Sequence, residues 1–246
     1  MLAWLPAQSA PAAKAFQLSA AQAPLLASAL NADAEDMHYS AVISLLDAIN
    51  GINSAYFSWA IVKLYYCCFY SIRSLMASNG IGIVYVPINA TAAAPFSVNT
   101  QISMSPRQEK GVTHKITWTL FERIFPNNPL LGDIGLERAY AWMTKLRESV
   151  NYKNPRFPDP VVPSHFNELD RRGVQVALNA YIADTAFAYA FDADHAALAF
   201  PIECLKRSMA SLVGVGVVFD QADHDHVDAC LASAGITGLI SSQLLA

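Results

Sequence analysis

Residues 54–78, SAYFSWAIVKLYYCCFYSIRSLMAS, form a nearly unbroken apolar run in which the only charges are Lys63 and Arg73. A run this long without turn residues fits a helix. The two cations leave no stretch of about 20 apolar residues, so the segment is read as a buried helix rather than a membrane span. A helix that is apolar on nearly every side needs neighbours on nearly every side. Asn53 or Ser54 can cap its start, and Asn79-Gly80 stops it near Ser78.

The flanking sequence supplies those neighbours. HYSAVISLLDAIN, residues 38–50, has a helical period and ends at Gly51. Residues 1–36 are rich in Ala, Pro and Ser and read as a peripheral or poorly ordered segment, with at most a helix over 19–31. IGIVYVPI and FSVNTQISM, within 81–104, are β-branched and partly alternating, which predicts a β-hairpin or extended insertion. Helical pattern returns over 114–125 and 133–152, either side of the turn NNPLLGD, and ends before NPRFPDPVVP. Apolar periodicity continues through 167–191 and 202–212, with Pro201 as a break or helix start, and a last helix falls near 223–233. The expected fold class is mainly all-α: a helical core over 37–156 with a small β insertion, and a C-terminal helical extension, 157–246, packed on it.

Only 15% of residues are charged and 54% are hydrophobic. Charge content this low suits a chain with part of its apolar surface covered by a protein partner or a second copy. The net charge of −4 is unevenly spread. Residues 101–156 carry nine basic and five acidic side chains, whereas residues 157–246 carry four basic and eleven acidic. The middle is thus a candidate phosphate-contacting surface, or the charge match of the C-terminal part. Cys67, Cys68, Cys204 and Cys230 include an adjacent pair and no C-x-x-C, so neither a disulfide framework nor a zinc knuckle is expected. The N-terminal MLAWLPAQSAPAAKAF lacks an early positive charge and is broken by Pro6, unlike a secretory signal. The expectation is a cytoplasmic protein with reduced thiols and no membrane segment.

In LRESVNY, residues 146–152, Arg147 and Asn151 share a helical face with Tyr152 beside them. Such a trio can handle a phosphate, or can knot one helix to another. AIVKLYYCCFYSIRSLMASNG, with Tyr65, Tyr66, Phe69 and Arg73 in order, resembles the first long helix of HEPN domains. LRESVNY resembles the Leu-Arg-x-x-x-Asp-Tyr signature of one HEPN-like group, with Asn151 in the Asp position. Thr113-His114-Lys115 followed by Phe121 is similar to that group's Thr-His-Lys segment. The resemblance covers residues 55–153. It implies a helical bundle with one of two kinds of role. Catalytic members are metal-independent ribonucleases with an Arg-x4–6-His motif, usually assembled as dimers; other members bind nucleotides or proteins. Here the three histidine positions after Arg147 hold Tyr152, Lys153 and Asn154. Tyrosine is a weak base at neutral pH.

The resemblance therefore implies first a non-catalytic interaction or regulatory protein in a cytoplasmic bacterial assembly of the antiphage or toxin–antitoxin kind. Its partner would be a protein or a second copy. The alternative is a variant endoribonuclease using Arg147 with Tyr152 or His114. A third reading is a nucleotide-sensing module. Candidate RNA or ligand contacts are Arg73, Arg147, Asn151, Lys153 and Arg156. Aromatic pairs at i, i+4 (Tyr65–Phe69, Tyr66–Tyr70) suit core packing better than base stacking. DHDHVD offers His224 with Asp228, or His226 with Cys230, as weak metal-ligand pairs, equally readable as a solvated helix start. GIGI and GVGV lack phosphate-loop spacing, and no cofactor is expected.

Overall fold

Helix α2 (Ala23–Asn53) and helix α3 (Phe57–Ser78) run antiparallel and frame the molecule. The computed structural model describes residues 9–89, 91–101, 105–153 and 156–245, without the side chains of Tyr152 and Lys153. The pairing of the two helices is set by small residues and a few polar ties. Ser74 donates to the Ala34 carbonyl (2.7 Å) and Lys63 pairs with Asp47 (2.7 Å). At the closed end a Cβ on Gly51 would lie 3.4 Å from Ala60 Cβ, so this crossing needs a small residue. Tyr56, at the N-cap of α3, makes no capping bond. Asp159 does so from a distant loop, accepting from Ser58 N (3.0 Å) and Ser58 Oγ (2.5 Å).

A short helix α1 (Ala10–Ala15) precedes α2, and strands β1 (Ile81–Pro87) and β2 (Ala93–Asn99) follow α3 as an antiparallel hairpin. Strand β3 (Arg107–Gln108) adds to β2. Val86, Ala94 and Phe96 face Ala10 and Ala13 of α1 in a small second core. Gly82 allows Leu30 of α2 to approach the hairpin, since a Cβ there would lie 2.6 Å from Leu30 Cδ2. Helix α4 (Thr113–Ile124), the two-residue strands β4 (Asp133–Ile134) and β5 (Glu137–Arg138), and helix α5 (Ala139–Glu148) come next. The last of these widens into a π-turn over Ser149–Lys153.

The C-terminal third adds α6 (Asn167–Arg172), α7 (Val174–Ala183), α8 (Ala196–Gly214) and α9 (Gln221–Ser233). Helix α8 packs along α3, where Cys67 Sγ approaches the Pro201 carbonyl (3.7 Å) and Ser78 bonds Ser211 (2.7 Å). One continuous apolar core runs from Leu18 to Leu245 and takes residues from both parts of the chain. The tail is held by His38 of α2: Nε2–H donates to the Leu244 carbonyl (2.7 Å), so Nδ1 accepts from Ser208 Oγ (3.0 Å).

The chain is mainly α-helical with a small antiparallel sheet, and the hairpin falls where the β-branched runs placed it. No helix among the described residues is long and apolar enough to cross a membrane. Several boundaries differ from the sequence reading. The helix expected over 38–50 begins at Ala23, because Leu26, Leu30 and Ala34 bury against the core despite their alanine-rich setting. The helix expected from 133 begins at Ala139, since Gly135 takes a positive φ of 64° in a tight turn between β4 and β5. The 167–191 pattern is divided at Gly173, φ 83°, and Pro201 lies inside α8, wholly buried.

Candidate functional site

Three helices bring the polar residues of the middle segment together. Tyr65, on α3, is fully buried in the core. Arg147, in the last turn of α5, lays its guanidinium over the Tyr65 ring, with Cζ 4.3 Å from the centroid. It has no ion pair or hydrogen bond among the described residues, and its Nε is buried without a partner. His114 stands in the first turn of α4 against α3. Its ring lies 4.4 Å from Phe69, 5.6 Å from Tyr65 and 5.8 Å from Tyr66. Nδ1 is also buried and unpartnered.

Arg147 and His114 line one cleft of about 450 Å³ between α4 and α5. Trp118 and Tyr140 form a wall, stacked 4.5 Å apart at 8°. The Trp118 indole N–H has no partner, although the side chain is only 2% exposed. The Tyr65 hydroxyl is oriented toward Trp118 and Thr144 without reaching hydrogen-bond geometry with either. Thr144 itself donates to the Tyr140 carbonyl (2.8 Å). At the rim Lys145 pairs with Glu137 (2.6 Å). The N-terminal turn of α4 opens onto the same space, and Val112 provides no side-chain cap for it.

The electrostatics favour an anion. Burial lowers the His114 pKa, and the positive charges of Arg147 and Arg73 lower it further, so the ring is neutral at pH 7. Burial raises the Tyr65 phenol pKa, with Arg147 opposing it, so the group stays protonated. Two buried donors, the Trp118 indole N–H and the Nε–H of the half-buried Arg147, thus converge with a helix N-terminus and no facing carboxylate except Glu148 and the paired Glu137. Unpaired buried donors cost roughly 1–3 kcal/mol each and ordinarily have partners. A ligand with several acceptor oxygens would satisfy them.

No family model, curated protein or solved structure matches the chain.

Arg147 and His114 fall in the cleft, but Arg73 does not. Arg73 lies behind it, 5.7 Å over the Phe69 ring, and has no ion pair among the described residues. Asn151, expected to partner these arginines, is exposed and bonds neither, because the helix changes pitch at Ser149. Arg156 is exposed and away from the cleft. The side chains of Tyr152 and Lys153, and Asn154, lie outside the described residues.

The acid–histidine string in α9 serves the tail. His224 Nδ1 and both Asp228 oxygens bond Ser241, at 3.0, 2.7 and 3.1 Å. His226 Nε2 faces Cys230 Sγ at 3.6 Å. No group of three or more potential metal ligands occurs among the described residues. Sequence reasoning missed Trp118, Tyr140 and Thr144, whose convergence depends on how α4 crosses α5.

Proposed function

We propose that this protein is a HEPN-like, non-catalytic binding module, and that its ligand is a phosphate-bearing molecule of the nucleotide class held between α4 and α5. The observation that supports this reading is the convergence of unpartnered buried groups, Arg147 Nε, His114 Nδ1 and Trp118 Nε1, on one cleft. Arg147 would grip phosphate oxygens with charge-assisted hydrogen bonds. The α4 N-terminus adds backbone donors to the same oxygens. The Trp118–Tyr140 stack offers an apolar wall for a base. A regulatory role follows if a protein partner responds to the filled cleft. The setting in a cytoplasmic bacterial assembly of the defence or toxin–antitoxin kind rests on the HEPN resemblance.

Thermal unfolding with a panel of nucleotides and with inorganic phosphate tests the reading. Stabilisation by nucleotides, lost in Arg147→Ala, is the expected result. Tyr140→Ala should weaken the nucleotide effect and leave the phosphate effect intact. A flat response across the panel would overturn the proposal.

A second reading is a variant ribonuclease, supported by His114 standing neutral in the cleft that holds Arg147. Arg147 would bind the scissile phosphate and His114 would accept the 2′-hydroxyl proton. Cleavage of labelled RNA without added metal, abolished by His114→Ala and by Arg147→Ala, would establish it over the non-catalytic reading.

A further inference from the structure

Helix α3 is buried along its length except on one line. Of its 22 residues only Trp59, Lys63, Tyr66, Tyr70 and Arg73 escape full burial. Tyr56, just before the helix, extends that line and is 63% exposed, while Trp59 is 56% exposed. From Tyr56 to Tyr70 the line runs about 21 Å at about 1.5 Å per residue.

Between this line and α2 lies a trough with two depressions. The larger, about 450 Å³, is walled by Tyr39, Trp59, Tyr66 and Tyr70 over Ser40 and Ser44. The smaller, about 320 Å³, is lined by Tyr56, Asn50 and Ser54. Trp59 and Lys63 border both.

The polar atoms of the trough suit a ligand rich in carbonyls. The Trp59 indole N–H and the hydroxyls of Tyr39, Tyr66 and Tyr70 make no hydrogen bond among the described residues. Asp47, the one carboxylate lining the trough, is taken by Lys63 (2.7 Å). Ser40 and Ser44 give their hydroxyl protons to the carbonyls of Asp36 (2.9 Å) and Ser40 (2.7 Å). A proline-rich chain matches this surface. It presents carbonyls, has few N–H groups to satisfy, and lays its rings against aromatic walls. About seven residues of polyproline II, at about 3.1 Å each, span the line from Tyr56 to Tyr70. An apolar helix fits less well, since it would hold the indole N–H and the hydroxyls against hydrocarbon.

Charge at one end gives the ligand a direction. Next to Tyr39, Glu35 and Asp36 of α2 meet Asp220 and Asp223 at the start of α9, and none of the four has an ion pair among the described residues. Burial, then Asp36, Asp223 and Asp220, raise the Glu35 pKa, as burial, Asp223, Cys230 and Asp220 raise that of Tyr39. The cations of this face are engaged elsewhere: Lys63 on Asp47, and Arg73 on the Phe69 ring in the field of Asp33. The rim therefore calls for a basic group and repels phosphates.

We propose that the α2–α3 trough is the docking site for a proline-rich segment of a partner protein. The segment lies extended along α3 and carries arginine or lysine at the end that reaches Glu35, Asp36, Asp220 and Asp223. The trough shares no lining residue with the α4–α5 cleft, so this inference does not rest on the nucleotide reading.

Fluorescence anisotropy with a labelled peptide of three Pro-Pro-Arg repeats tests it. Saturable binding is expected, at least about tenfold weaker in Trp59→Ala, which truncates an exposed aromatic of the trough. Asp36→Asn should weaken it about threefold and flatten its salt dependence. Val176→Ala, an exposed residue of α7, should leave it unchanged. Peptides of three Pro-Pro-Glu or three Gly-Ser-Arg repeats should each bind at least about tenfold more weakly, the first lacking the charge and the second the rings. No saturation up to about 1 mM would overturn the proposal. So would equal binding of either control peptide, or binding that ignores Trp59→Ala. Single-stranded oligouridylate that bound more tightly than the peptide, and lost its binding in Trp59→Ala, would overturn it by assigning the trough to RNA.

Discussion

Acidification should loosen this fold through His38, and the size of the effect follows from its surroundings. Burial pulls the His38 pKa from 6.5 down to about 4, against the opposing bond to the Leu244 carbonyl. In the unfolded chain the ring titrates near its ordinary value. Its folded pKa is depressed, so its contribution is complete above pH 6.5 and is lost as the pH falls through 4. A shift of 2.5 units corresponds to about 3 kcal/mol at about 1.4 kcal/mol per unit. Within that window one proton is taken up on unfolding. Urea unfolding of the wild type and His38→Leu, at half-unit steps from pH 7 to 4, isolates the term because the carboxylates titrate in both. The variant starts weaker at pH 7, since Ser208 and the Leu244 carbonyl lose their partner at a cost of roughly 1–3 kcal/mol each. The two stability curves should then converge by about 3 kcal/mol on going to pH 4. Parallel curves would show that His38 is not held neutral by the fold, and the reasoning would fail.

Three further outcomes are expected. Gly132→Ala should cost about 1–3 kcal/mol in chemical unfolding, because its Cβ would stand 2.5 Å from the Phe191 ring, a rigid neighbour. Asp159→Ala should cost about 1–2 kcal/mol by removing the cap on α3. Burial raises the Asp159 pKa, but the Ser58 bonds outweigh it and the net shift is downward. This contribution is therefore present above pH 4 and fades on acidification, so the variant and wild type should draw together in acid melts. Asp220→Ala removes the bond to Asp223 N at the start of α9 (2.9 Å). It should cost about 1 kcal/mol and speed amide exchange in α9 before it affects α3.

The long central helix was legible because it is apolar around most of its circumference, which few other structures tolerate. The start of α2 was hidden by composition. An Ala- and Pro-containing segment resembles a linker, yet Pro24 sits where the first helical turn accepts it, and Leu26 and Leu30 anchor the helix to the core. Strands of two residues, such as β4 and β5, leave no periodic pattern to find. Arg147 could be singled out from its helical spacing to Asn151, and His114 from the resemblance of Thr113-His114-Lys115 to a HEPN-like segment. Trp118 and Tyr140 could not, since their stack arises only when α4 and α5 cross. Asn151 was misplaced because its pairing with the arginines assumed an unbroken α-helix, and the π-turn changes that geometry.

The burial of three thiols at the contact between α3 and α8 has an experimental consequence. Cys67, Cys68 and Cys204 are fully buried, whereas Cys230 is partly exposed. Burial also raises the pKa of Cys67 and Cys68, which suppresses the reactive thiolate. An alkylating reagent added to the native protein should therefore modify Cys230 first and reach the others only when α8 lifts from α3. The slow phase of that reaction, followed by mass, reports how often the two helices part and the free energy of their opening.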